Sequence, residues 1–162
     1  MSGKKSVIFR LVICIFICAI VFLAAVLNAY SFMNSSLDAV GENKAVILSQ
    51  IKGSLEYGLR YGRQLENYYD IEEIFDKVNK YCEADQTYIT DAELNLLYGD
   101  GMPDELQEKA EQMETDDSDR VLWTDSDFQH ILLSIDSGYD RAGYIGIACS
   151  TDSMKAFSRT YV

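Results

Sequence analysis

The side chains in this sequence whose types could recognise a ligand include Arg120, Trp123 and His130. Arg120 is the only arginine between Arg63 and Arg141, and its planar fork suits a ligand carboxylate. An ion pair with the acidic run at 115–119, just before it, is the alternative, and exposed pairs of that kind are weak. Trp123 offers either a stacking platform or ordinary sheet packing. His130 is the only histidine. It is either a pH-responsive group or a hydrogen-bonded strand residue. One histidine leaves no room for most nucleophile-and-base schemes, and no GxSxG elbow or HExxH pair occurs. No CxxC pair exists for zinc, and TDDSD at 115–119 lacks the Gly and terminal Glu of an EF-hand loop. The chemistry these residues support is binding, with no catalytic residue, metal or cofactor assigned.

Five strands are predicted to position that group. QTYIT at 86–90 and LNLLY at 94–98 flank a hairpin connection, Asp91-Ala92-Glu93. VLWT at 121–124 is the third strand. QHILLSID and YIGIACS, at 129–136 and 144–150, alternate with period two around a glycine-containing turn at 137–143. One face of the last two strands carries Ile131, Leu133, Ile135, Ile145, Ile147 and Cys149. The other mixes the small residues Ser134, Gly146 and Ala148 with His130 and Tyr144, and Tyr88 lies opposite Ile89 on the first strand. Such a face either forms a concavity for a small ligand, or is solvated or covered by the connection at 99–119. That connection holds a weak helix starting at Pro103, with Leu106, Ala110 and Met113 on one side.

Ahead of the strands the pattern is helical. Leu37, Val40, Leu48, Ile51, Leu55, Leu59, Gly62 and Leu65 make one apolar stripe. Gly53, Gly58 and Gly62 weaken that helix, which points to close approach of another element or to a local kink. A second helix follows, with Ile71, Ile74, Phe75, Val78 and Cys82 on one face. Two helices before five strands predict an α+β domain, a long helix packed on a five-stranded antiparallel sheet.

The long helix continues from an apolar segment. Residues 11–33 carry no charge, and these 23 residues can cross a hydrocarbon core of about 30 Å. Lys4, Lys5 and Arg10 precede it and Asp38 and Glu42 follow, so the positive-inside rule makes residues 1–10 cytoplasmic and the rest from about 34 extracytoplasmic. The run exceeds a usual signal-peptide core and lacks a small-residue cleavage site, which favours an uncleaved signal-anchor and a single-pass membrane protein. Removing residues 1–33 takes three basic residues and no acidic ones from a net charge of −12, leaving −15. So acidic a domain argues against nucleic acid and anionic lipid surfaces as partners; the charge serves solubility or offers an acidic surface to a metal or cationic ligand. Cys82 and Cys149 lie outside the apolar run, where an oxidising compartment permits one bridge between them.

In their order, IKGSLEYGLRYGRQL at 51–65, YITDAELNLLYGDG at 88–101 and ILLSIDSGYDRAGYIGIACS at 131–150 resemble a Cache domain, the PAS-like extracytoplasmic sensor module of bacterial chemoreceptors and sensor histidine kinases. The resemblance implies a signal-transduction or chemotaxis receptor fragment. It would bind a small molecule, an organic acid or amino acid, on the PAS-like sheet of a sensor domain spanning 34–155, and work as a homodimer through its long helix. Some members of the family bind amino acids through an Arg, a nearby Trp and a later Asp, which implies roles for Arg120, Trp123 and Asp136. With Tyr88, His130, Ser134 and Tyr144 these make up the expected ligand-binding set. The family normally continues into a second membrane helix, which MKAFSRTYV at 154–162 would begin, residues 156–162 being its first turns. The alternative is an anchored structural or assembly protein whose acidic exterior domain binds another protein.

Overall fold

The computed structural model describes residues 2–99, 101–138 and 140–152. The chain divides into two units, Met1–Asp38 and Ala39–Val162. In the first, helix α1 (Ser2–Arg60, 59 residues) is under way from Ser2, ahead of the apolar run. Its side chains from Phe9 through Met33, where described, are all exposed, Phe16, Phe22 and Leu27 among them. Among the described residues α1 is the one helix long and apolar enough to cross a membrane, by length and composition. An apolar surface of that length in water is strongly unfavourable, and a bilayer removes the penalty.

In the second unit α1 buries Ala45, Leu48, Ile51, Leu55 and Leu59 along one stripe. The helix stops at Arg60, five residues short of the expected Leu65. Gly62 takes φ +85°, a left-handed conformation that costs glycine little, and Leu65–Asn67 forms a short 3-10 turn. Of the three glycines along the stripe, Gly58 alone meets a neighbour. The Tyr68 ring lies where its Cβ would be, and the Tyr68 hydroxyl donates to the Ser54 carbonyl at 3.1 Å. Gly53 faces open space. Helix α2 (Ile71–Cys82) buries Ile74, Val78 and Cys82, three of the five residues expected on its inner face.

The strands are β1 (Gln86–Asp91), β2 (Leu96–Gly99), β3 (Arg120–Thr124), β4 (Phe128–Asp136) and β5 (Arg141–Ser150), with helix α3 (Leu106–Thr115) between β2 and β3. All pairs are antiparallel and the order is β2-β1-β5-β4-β3. The second strand begins at Leu96 and not at Leu94. Leu94 has φ +65°, and the Asp91 carboxylate accepts from the Asn95 backbone N–H at 2.8 Å and from its side-chain amide at 2.8 Å, holding a longer turn. The last turn is shorter than expected. Ser137 N–H donates to the Asp140 carbonyl at 2.9 Å, so β5 starts at Arg141. Pro103 lies ahead of α3 and does not open it; its carbonyl accepts the Leu106 N–H at 3.1 Å. The expected outgoing helix at 156–162 lies outside the described residues.

Candidate functional site

Strand register sorts the sheet into two faces. Gln129, Ile131, Leu133 and Ile135 of β4 stand beside Cys149, Ile147, Ile145 and Gly143 of β5. Towards this face α1 sends Gly41 against Gln129, and Glu42 and Glu56 to polar partners. Its aliphatic members are almost completely buried.

The opposite face is built of three cross-strand rows. Trp123, His130 and Ala148 form one, Val121, Leu132, Gly146 and Tyr88 the second, and Ser134, Tyr144 and Thr90 the third. Helix α3 covers it. Leu106, Ala110 and Met113 are buried together with Tyr88, Leu132 and Tyr144, and Leu94, Val121 and Trp123 pack around them. The apolar spacing of α3 therefore serves this face, and the covered-face alternative raised by the sequence holds over much of it. Gly146 is needed because the Tyr88 ring lies across it, where any Cβ would collide.

A cover of apolar side chains leaves polar atoms beneath it without protein partners. The Tyr88 hydroxyl, Thr90 Oγ1, Trp123 Nε1, His130 Nδ1 and Ser134 Oγ are buried and have no hydrogen-bond partner among the described residues. All five belong to residues of this one face. More than nine in ten buried polar groups in folded proteins are paired, and each exception costs about 1–3 kcal/mol. Burial also raises the Tyr88 phenol well above its ordinary range, so it is a neutral donor at any physiological pH.

His130 is held from its other side. Its Nε2 lies 2.8 Å from Asp125 Oδ2, and its ring stacks on Trp123 with centroids 4.8 Å apart and planes 14° from parallel. The hydrogen bond to His130, with backbone N–H bonds from Phe128 and Asp127, lowers the Asp125 carboxyl to about 2. An ionised Asp125 favours a proton on Nε2, and the other ring nitrogen, Nδ1, is buried.

At the Tyr144 end the cover is open. A groove of about 580 Å³ is lined there by Leu94, Met102, Leu106, Glu111, Glu114 and Tyr144, with Glu93 and Asp104 on its rim. The Tyr144 hydroxyl donates to Glu114 at 3.4 Å and accepts from Arg141 Nη1 at 3.4 Å. Arg141 in turn lies 3.9 Å from both Glu114 and Asp136. The groove thus carries four carboxylates, Glu93, Asp104, Glu111 and Glu114, with the Arg141 guanidinium beside it at the Tyr144 end.

Of the seven residues expected to bind a ligand, Tyr88, Trp123, His130, Ser134 and Tyr144 share this face. Asp136 touches it only through Arg141. Arg120 does not join them. It pairs with Leu133 on the face towards α1, where its guanidinium meets Glu42 at 3.0 Å and not the acidic run at 115–119. Thr90, Asp125, Glu114 and Arg141 were not singled out by the sequence. Thr90 was findable, being two residues beyond Tyr88 on the same strand. The other three depend on turns and on an α3 position that no local pattern records.

No protein-family model matches this sequence, and no curated protein matches it.

Proposed function

We propose that this protein is a membrane-anchored, extracytoplasmic sensor domain of PAS-like architecture, with the long helix packed on the sheet, that binds a small molecule beneath and beside α3 without transforming it. The observation that carries the reading is the set of five buried, unpartnered polar atoms on one sheet face, next to an open groove. Donors and acceptors fixed in a water-poor site recognise a ligand well because they have no competing protein partner to give up. The rim favours a ligand with a free amine, an amino acid or related compound, since four carboxylates would repel a dicarboxylate. Arg141 supplies the one group suited to a ligand carboxylate.

The ligand acts by binding one arrangement of α3 more tightly than another. Asp136 offers the route onward, because its carboxylate meets Arg141 while its backbone N–H donates to Glu56 of α1 at 3.1 Å. Helix α1 is unbroken from Ser2 to Arg60, and a shift carried along it reaches the apolar segment. Three basic residues before that segment set the orientation. The outward residues Val46 and Tyr57 of α1 are large, exposed and available to a second copy of the chain.

The test is the melting temperature of the full chain in lipid nanodiscs against separate panels of amino acids, alkyl amines and dicarboxylates. Stabilisation by amine-bearing compounds, lost in Ser134→Ala or Glu114→Gln and retained in Arg120→Ala, is expected. Absence of any shift across all three panels would remove the small-molecule reading in favour of an assembly role.

A further inference from the structure

We propose that Cys82 and Cys149 are a redox pair that closes to an intramolecular disulfide joining the end of α2 to β5. The inference rests on the extracytoplasmic placement proposed above and uses none of the ligand-site residues.

The two cysteines meet because three elements converge. Cys82 is the last residue of α2, and the chain then turns through Glu83 in a left-handed conformation. Asp85 N–H donates to the Ala148 carbonyl at 2.9 Å, and Gln86 opposite Ala148 opens the β1–β5 ladder. The short segment after Cys82 is thereby pinned beside the residue preceding Cys149. The Cys149 thiol donates to the Cys82 carbonyl at 3.8 Å, placing its sulfur against the residue it would join. Lys44 of α1 touches both. Its carbonyl accepts from the Cys82 thiol at 3.8 Å, and its positive charge acts to lower the Cys149 thiol against the larger effect of burial.

Both side chains are buried, at 0% and 1% exposure. Burial pushes the Cys82 thiol up to about 11 and raises Cys149 as well, so neither is a ready nucleophile once the domain has folded. Closure therefore belongs to folding, while both thiols are open to a protein dithiol–disulfide oxidant. The Cys82 thiolate attacks one sulfur of the oxidant's disulfide, giving a mixed disulfide and releasing the first oxidant thiolate. The Cys149 thiolate then attacks the Cys82 sulfur, forming the bridge and releasing the second. Two electrons and two protons pass to the oxidant, which leaves as a dithiol. Once formed, the bridge lies under α1 and is shielded from reductant.

The full chain is tested in two arms. In membranes from cells that export it, free thiols are alkylated before and after reduction, peptides are mapped by mass, and the side on which residues 34–152 lie is read by protease protection. In the second arm the purified chain is unfolded and refolded in detergent with a glutathione redox buffer, which does not depend on membrane placement. A Cys82–Cys149 peptide in both arms is expected, with Cys14 and Cys18 unlinked to either. Reduction is expected to lower the melting temperature by roughly 10 °C or more, from the length of the closed loop. Cys82→Ala/Cys149→Ala would abolish that dependence on reductant. Free thiols in an exported domain would overturn the bridge while leaving the sensor reading standing. A domain found on the cytoplasmic side would overturn the placement, and free or scrambled thiols after refolding would overturn the geometry.

Discussion

Replacing Lys52 with Met tests how α1 is fastened to the rest of its unit. Lys52 is 7% exposed, an unusual degree of burial for a lysine. Its ammonium lies 3.3 Å from Glu56 Oε1 and 3.9 Å from Asp119 Oδ2. The same Glu56 oxygen accepts the Asp136 backbone N–H at 3.1 Å. At an effective dielectric of about 20, the closer contact alone is worth about 5 kcal/mol of Coulomb attraction, much of it offset by the cost of burying two charges. Lys52→Met keeps the apolar stem and leaves the Glu56 carboxylate, only 16% exposed, without its cation. We expect a loss of about 2–4 kcal/mol. Glu56→Gln keeps an acceptor for Asp136 and should cost about 1–2 kcal/mol. The double variant should cost less than the sum by about 1–2 kcal/mol, because neither buried charge is then left alone. Urea unfolding of the full chain in micelles, followed by fluorescence of Trp123, the chain's only tryptophan, gives all four values. Additive losses, or a Lys52→Met cost below about half a kcal/mol, would refute the buried clasp.

Three further outcomes follow from the opposite face. Thr90→Val, which deletes an unpartnered buried oxygen, should leave the ligand-free protein unchanged or more stable by up to about 1 kcal/mol while weakening ligand stabilisation; a clear loss of ligand-free stability would show that the hydroxyl is satisfied. Gly146→Ala should cost about 2–3 kcal/mol in urea unfolding by driving a methyl into the Tyr88 ring, and Tyr88→Leu in the same chain should recover part of it; a neutral Gly146→Ala would contradict that close packing. Asp125 titrates at about 2 in the folded chain against an ordinary value near 4, so its contribution is complete above about pH 4 and is lost as pH falls from there to about 2. Asp125→Asn should flatten that limb of the stability–pH curve, and parallel curves for the two proteins would count against the bond to His130.

Period-two alternation in β4 and β5 was strong enough to place Ile131, Leu133, Ile145 and Ile147 on one face and His130, Ser134 and Tyr144 on the other. Both strands are long and central, so every residue reports its face. The α3 stripe of Leu106, Ala110 and Met113 was equally plain. Errors gathered where a single side chain decides the local path. The Asp91 carboxylate seizing Asn95 moved the start of β2, and the positive φ of Gly62 ended α1 early. Arg120 shows the limit for the site. An edge strand of five residues with mostly half-exposed side chains carries too little alternation to say which face an end residue takes, and the Glu42 that captures it is 78 positions away along the chain. The groove was illegible for a related reason, since its walls come from the turn after β1, from α3 and from β5.

The last of the described strands is the middle strand of the sheet. During synthesis the β1–β2 hairpin, complete at Gly99, has nothing to pair with until β5 emerges at Arg141–Ser150, and β3–β4 waits likewise on its other side. Assembly is therefore dominated by non-local contacts, which slow folding. Throughout that interval the apolar stripe of α1 and the open β1 edge are exposed, and an edge of that kind invites strand addition from another chain. The net charge of −15 on residues 34–162 then acquires a second use: nascent copies brought close together repel one another until the central strand is in place.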